Sequence, residues 1–315
     1  MVMHTWHTLT TRQHVREVFI TGATSMLGAA LVQRLLREGV RVHALVRTPD
    51  QANQMRAMGV SPVVGNLARL EVDGCRLALT CCDAVIHLAA TMDEQAPQRL
   101  FETNVRGTKT LMRGAQAAGV GRFLLVSTLA TLSAALQTPL HEPTPDLRPS
   151  HYVMSRFLAE EIVFSGYHQG VPSIVLNLAT IVPPTLTQHS ALRAWLASQP
   201  IPHDAGTRRV HLLTLETAVE AIWQALIRGR PGQRYVISNA EQTLAFDMLI
   251  PLMLSARRNG GGLLAPHDHP PLLHTTTLDH GDALGLTYDA PVLALDTLRG
   301  ERWLFDESVV MPWRS

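Results

Sequence analysis

The chain has 315 residues, is 46% apolar, and carries 27 lysines and arginines against 26 acids for a net charge of +1. That balance excludes a bulk field that would recruit nucleic acid or an anionic membrane, and the apolar content is ample for a large core. No apolar run reaches the roughly 18 residues of a membrane span, and the start MVMHTWHTLTTRQHVREV lacks the features of a secretory signal, so the expected location is cytoplasmic.

Residues 1–15 read as a flexible leader in which His4, His7 and His14 are solvated. EVFITG is then a short apolar strand, and SMLGAALVQRLLREG places Leu27, Leu31, Leu35 and Leu36 on one helical stripe that stops at Gly39. VRVHALVR is a second strand, MRAMGVSPVVGNL a helix end and a strand, and CDAVIHLAA a buried strand. RLFETNVRGTKTLMRGAQAAGV reads as one long helix facing the sheet through Val105, Leu111 and Ala115, with Asn104 suited to an N-terminal cap. RFLLVST is the next strand, followed by a proline-rich loop, the helix HYVMSRFLAEEIVFSGYHQG, and PSIVLNLATIV as a sixth strand.

Short strands alternating with helices predict an α/β fold: a parallel sheet with helices on both faces, over residues 16–182. From 183 to 315 the rhythm loosens into a smaller portion, although the helix LETAVEAIWQALIRG and strand QRYVISN, within 211–240, return to the main unit. NGGG and the loop HDHPPLLH follow; His267, Asp268, His269 and His274 read as surface residues, since no distant ligand matches them. Cys75, Cys81 and Cys82 suit reduced thiols. Adjacent cysteines do not easily direct both sulfurs at one ion without partners nearby, so no metal is expected.

Between the first strand and helix, Gly22 and Gly28 bracket a turn in which backbone amides can approach a pyrophosphate and the helix N-terminus favours its charge. Ser25 stands where a third glycine is expected, and its hydroxyl can donate to a phosphate oxygen. The second strand ends ALVRTP, with Arg47 and no acid, which favours NADP over NAD.

TGATSMLG, GNL, DAVIHLAA, NVRGTKTLMRGAQAAGVGRFLLVS, YVMSRFLAEEIV and LETAVEAIWQAL occur in an order and spacing that resembles the extended short-chain dehydrogenase/reductase family, its epimerase/dehydratase and dihydroflavonol-reductase-like group. The resemblance covers residues 16–240 and implies a Rossmann-type, doubly wound NAD(P)-binding domain with a smaller C-terminal substrate-binding portion. It assigns Thr21, Gly22, Thr24, Ser25, Met26, Leu27 and Gly28 to the phosphate loop, and Asn66 and Leu67 to the adenine side. His87, Leu88, Ala89 and Ala90 fall on the nicotinamide side, Asn104 takes a supporting role, and a homodimer would pack through the helices of Asn104 and Tyr152.

The resemblance also implies a tyrosine with a lysine four residues later; here the pair is Tyr152 and Arg156. An arginine keeps the charge that favours phenolate but not the point contact of an ammonium. The hydroxyl expected after the fifth strand falls on Leu129, with Thr128 preferred over Ser127 as its substitute. Asn177, Leu178, Glu216 and Thr217 depart from the pattern of sugar-nucleotide enzymes, and Arg208 and Arg209 read as a solvated pair. Two readings stand: an oxidoreductase or epimerase/dehydratase acting on a small carbonyl or hydroxyl compound, and an NAD(P)-binding sensor or interaction protein with impaired catalysis.

Overall fold

The computed structural model describes residues 15–132, 150–182, 208–237, 243–245 and 274–276. Seven parallel strands form the main sheet: β1 (Glu17–Thr21), β2 (Arg41–Val46), β3 (Ser61–Val64), β4 (Ala84–His87), β5 (Arg122–Thr128), β6 (Ser173–Leu178) and β9 (Arg234–Ile237), in the order β3-β2-β1-β4-β5-β6-β9. The order reverses between β1 and β4, and it is outside the carboxyl ends of the strands at such a reversal that open α/β sheets bind ligands.

Alternate residues of each strand feed two cores. On one face Val18, Ile20, Ile86, Leu124 and Ile174 meet α1 (Met26–Arg37), α2 (Pro49–Ala57) and α7 (Leu215–Arg228). On the other, Phe19, Val85, Phe123 and Val175 meet α3 (Val72–Leu79), α5 (Thr108–Ala118) and α6 (His151–His168). At Gly114 a Cβ would strike the Cβ of Cys75, so α3 and α5 pack at a distance only glycine permits. The sheet is thus covered on both faces, as the continuous burial of β4, β5 and β6 requires.

Three elements differ from the sequence reading. The segment between β3 and β4 contains α3, which the reading passed over. The long helix is α4 (Pro97–Phe101), a π-helical turn over Glu102–Gly107, and α5. Asn104 is therefore inside a continuous helix and not a cap, and the extra residue in the turn buries Asn104 while leaving Val105 half-buried. The sixth strand divides at Ala179: Leu178 already faces the last residues of β5 and β9, so β7 (Thr180–Val182) finds its ladder partner in a second sheet.

That second sheet joins β7 to β8 (Arg208–Thr214), with β10 (Thr243–Ala245) and β11 (His274–Thr276) antiparallel to β8. α7 and β9 then return to the main unit, on α1 and β6. The leader to residue 14, the loops at 133–149 and 183–207, NGGG, and His267, Asp268 and His269 lie outside the described residues. No helix among the described residues is long and apolar enough to cross a membrane.

Candidate active site at the carboxyl ends of the strands

β1 ends at buried Thr21, and Gly22 turns the chain with φ +78, where a side chain would be strained. A Cβ at Gly22 would approach Ala89 N to 2.9 Å; one at Gly28 would collide with the Gly22 carbonyl oxygen and lie 2.8 Å from Ala23 Cα. The two glycines therefore fold the loop onto itself and onto the segment after β4. Ser25 caps α1: its Oγ accepts from Gly28 N at 3.0 Å and donates to Gly22 O at 2.8 Å. The hydroxyl expected to meet a phosphate is engaged within the turn. Helix geometry leaves the amides of Met26 and Leu27 without intrahelical acceptors, so the donors this turn can offer an anion are backbone groups. Thr24, Ser25 and Met26 are exposed at its rim.

Around the rim, Arg47 is exposed at the end of β2. Asn66 Oδ1 accepts from Ala68 N at 3.0 Å and so caps a short 3-10 turn in which Leu67 is buried. After β4, Leu88 and Ala89 are half-buried and Ala90 exposed. His87, read from the sequence as passing the nicotinamide side, turns wholly into the protein. Its ring is fully buried, with Nδ1 2.6 Å from Thr21 Oγ1 and Nε2 2.8 Å from Thr108 Oγ1.

The neighbours decide its tautomer. Thr108 Oγ1 donates its single proton to Asn104 O at 2.5 Å, so it must accept from Nε2–H. Thr21 Oγ1 accepts from Ala89 N, which leaves its proton for Nδ1. Burial, with a lesser push from the Arg156 charge, lowers the histidine pKa to about 3 and keeps the ring neutral. The chain of bonds continues: Asn104 holds both backbone groups of Thr91 at 2.8 Å and donates to Ser155 Oγ at 2.9 Å, and Ser155 donates to Tyr152 O at 2.7 Å. A buried polar line thus ties the phosphate-loop strand to the helix of Tyr152.

Tyr152 stands in the first turn of α6. Ser150 Oγ accepts from Val153 N, while the Glu94 carboxylate accepts from the amides of His151 and Tyr152 at 3.2 and 2.8 Å, a good place for a negative charge. Arg156, one turn along, is fully buried; Nη2 donates to Val126 O at 2.6 Å and Nη1 has no partner. Its charge does favour the Tyr152 phenolate, yet burial outweighs it and Glu160 adds to burial, so the phenol pKa is raised.

The next residue of this stripe, Glu160, is fully buried. Its carboxylate takes bonds from Ser127 Oγ and the Arg234 guanidinium, from Thr131 Oγ1 at 2.9 Å and from Asn177 Nδ2 at 2.8 Å. Ser127 is thereby turned into this cluster. Thr128 Oγ1 accepts from Ala130 N at 3.2 Å, and Leu129 is buried with its amide on Leu178 O. The sequence reading missed Glu160, Thr131, Arg234, Thr108, Ser155 and Glu94. Only Glu160 carried a signal, the i+4 continuation from Tyr152 and Arg156.

The profile of the NAD dependent epimerase/dehydratase family matches residues 18–238. The chain is 31% identical over 163 residues to a 4-hydroxy-2-methyl-3-oxo-4-farnesyl-3,4-dihydroquinoline-1-oxide ketoreductase of Stigmatella aurantiaca, covering 50% of this chain and 48% of that protein. It is 26% identical over 246 residues to a putative dihydroflavonol 4-reductase of Synechocystis, covering 72% and 68%. The match thus spans about half the length of the first relative. Among solved structures, UDP-glucose 4-epimerase of Thermotoga maritima superposes with a TM-score of 0.60 at 16% identity, covering 84% of this chain and 91% of that one. A dTDP-glucose 4,6-dehydratase of Streptomyces venezuelae with bound NAD gives 0.58 at 22% identity, covering 76% and 80%. At these identities the likeness is one of fold.

Proposed function

The chain belongs to the NAD dependent epimerase/dehydratase family, of extended short-chain dehydrogenase/reductase type, and we propose that it is an NADP-dependent oxidoreductase acting on a small, largely apolar carbonyl or hydroxyl compound. Met26 and Leu27 amides, in the space left by Gly22 and Gly28, would hold the pyrophosphate; Asn66 and Leu67 would flank the adenine; Arg47 would receive the extra phosphate of NADP. The bound nicotinamide would supply or take up the hydride. Tyr152 Oη holds the proton of the reacting oxygen; burial raises its pKa, so it stands at neutral pH as a phenol with a proton to give, and the Arg156 charge is what favours releasing it. Reduction is favoured over epimerisation and dehydration by the reductase names of the two relatives.

The observation that carries this reading is Arg156 Nη1, a buried donor without a partner one turn from Tyr152. Such an orphan is costly unless a ligand satisfies it, and the ribose hydroxyls of the nicotinamide side are acceptors of the right kind. Thr128 is the hydroxyl assigned to the substrate oxygen, because Ser127 serves Glu160. The test is turnover of ketones, among them dihydroflavonol and alicyclic substrates, with NADPH and NADH. Tyr152→Phe should lower kcat by about 100-fold or more while cofactor affinity holds. Undiminished activity in that variant would end the proposal.

One observation favours a second reading, a dinucleotide-binding protein without catalysis: Leu129 stands where the family's hydroxyl is expected, and Ser127 is occupied. That reading requires an NADPH-induced rise in stability, about 2.7 kcal/mol at 100 times the dissociation constant, with no turnover. For the homodimer, Met154 and Leu158 support α6 as the interface, being 38% and 36% exposed one turn apart. Light scattering reads the mass.

A further inference from the structure

At the opposite end of the sheet, residues far apart in sequence converge. β1 starts at Glu17, about 13 Å from Thr21 at roughly 3.3 Å per residue, so this edge lies well away from the phosphate loop. His43 rises from β2, and Cys81 and Cys82 form the turn that leads from α3 into β4. One ligand atom of each of His43, Cys81 and Cys82 lies within 4.8 Å of the others. His43 Nε2 is 3.9 Å from Cys81 Sγ and 3.2 Å from Glu17 Oε2. Glu17 Oε1 is taken by Arg41, which leaves Oε2 facing the group.

The sequence reading expected no metal here because adjacent cysteines lacked partners. Folding supplies the partners from β1 and β2. With Zn–S of about 2.3 Å and Zn–N or Zn–O of about 2.0–2.2 Å, tetrahedral ligands sit about 3.4–3.8 Å apart, close to the separations found. The place is not sealed: it borders a groove of about 550 Å³ whose walls include Glu17, His43, Ser61 and Cys81, an entry path for an ion.

We propose that His43, Cys81, Cys82 and Glu17 form a site for a thiophilic d¹⁰ cation, Zn²⁺ or Cu⁺, that clamps the amino-terminal ends of β1, β2 and β4. Two thiolates and an imidazole select such ions over Mg²⁺ or Ca²⁺, which prefer oxygen. On binding, each cysteine sulfur releases its proton to solvent and the imidazole binds in its neutral form. The function is structural, since nothing in the group reaches the candidate active site.

The test uses the full, reduced chain. Zn²⁺ is titrated against a chromophoric chelator, and Co²⁺ serves as spectroscopic probe. One equivalent of Zn²⁺ should bind, and Co²⁺ should show thiolate-to-metal charge transfer with tetrahedral d–d bands. Cys81→Ser and His43→Gln should each weaken Zn²⁺ binding by about 100-fold or more, and Glu17→Gln by about 10-fold, on the scale that even supporting residues of metal sites show. Binding without thiolate charge transfer, or affinity unchanged in Cys81→Ser and His43→Gln, would assign the ion to other histidines of the chain and overturn the proposal. Cys81 is exposed, so its replacement leaves the core intact; should that variant nevertheless unfold, the charge-transfer band of the native chain decides.

Discussion

Lowering the pH from about 7.5 to about 4.5 is expected to remove about 3 kcal/mol of stability through His87. The ring is fully buried between two threonine hydroxyls, one donating to Nδ1 and one accepting from Nε2. A proton on Nδ1 would set a donor against Thr21 Oγ1, which already accepts from Ala89 N and would lose the acceptor of its own proton. In the unfolded chain the histidine protonates near 6.5, in the folded protein only near 3. Between those values the unfolded state holds the extra proton, so stability rises with pH; the contribution is complete above 6.5 and drains away as pH falls toward 3. Two of those pH units at about 1.4 kcal/mol each give the figure at pH 4.5. Urea unfolding followed by circular dichroism would measure it in the native protein and in His87→Gln, which keeps a donor and an acceptor but does not titrate. Carboxylates affect both proteins alike, so the native protein should lose about 3 kcal/mol more than the variant over the interval. Equal losses would refute the assignment of a buried, neutral, bridging histidine.

Gly28→Ala should destabilise by about 1–3 kcal/mol and abolish NADPH binding, because the new Cβ collides with Gly22 O; fluorescence titration and thermal unfolding read both effects. Ser25→Ala should cost about 1 kcal/mol as a lost cap and Ser25→Gly only a few tenths, with cofactor affinity nearly unchanged in Ser25→Gly. A large fall in affinity there would return the hydroxyl to the phosphate. Glu160→Ala should cost about 3–5 kcal/mol in denaturant unfolding, because it strands the Arg234 guanidinium and the buried Ser127 hydroxyl, whereas Thr131 and Asn177 keep Thr128 O as an acceptor.

The strands, the glycine turn and the Tyr152–Arg156 spacing were legible because each rests on short-range periodicity: two in a strand, 3.6 in a helix, a tight turn where backbone must come close. The π turn was not. Its extra residue is held by contacts from elsewhere, with Asn104 pinned by Thr91 and Ser155, and a helical repeat cannot announce a break that its neighbours impose. The same limit hid the division of the sixth strand, whose apolar run continues past the point where its sheet partners end.

Side-chain direction was the other illegible quantity. Ser25 was recognised at the centre of the glycine turn, but its commitment to Gly22 O and Gly28 N depends on the turn's backbone. Arg156 was recognised as a cation beside Tyr152. That burial outweighs it, and that Glu160 opposes it, depends on what packs over the helix.

What the residues dictated along the chain was the order of the sheet strands, the glycine turn after β1 and the placing of Tyr152 and Arg156 one helical turn apart, since local patterns of size, polarity and backbone freedom suffice for those. What awaited the folded protein was the joining of distant polar groups: Thr21 to His87 and Thr108, Glu160 to Arg234, and His43 to Cys81 and Cys82. The reason is physical. A buried donor, acceptor or charge must find its partner wherever the packed sheet places one, and that partner's position in sequence is set by topology, not by spacing.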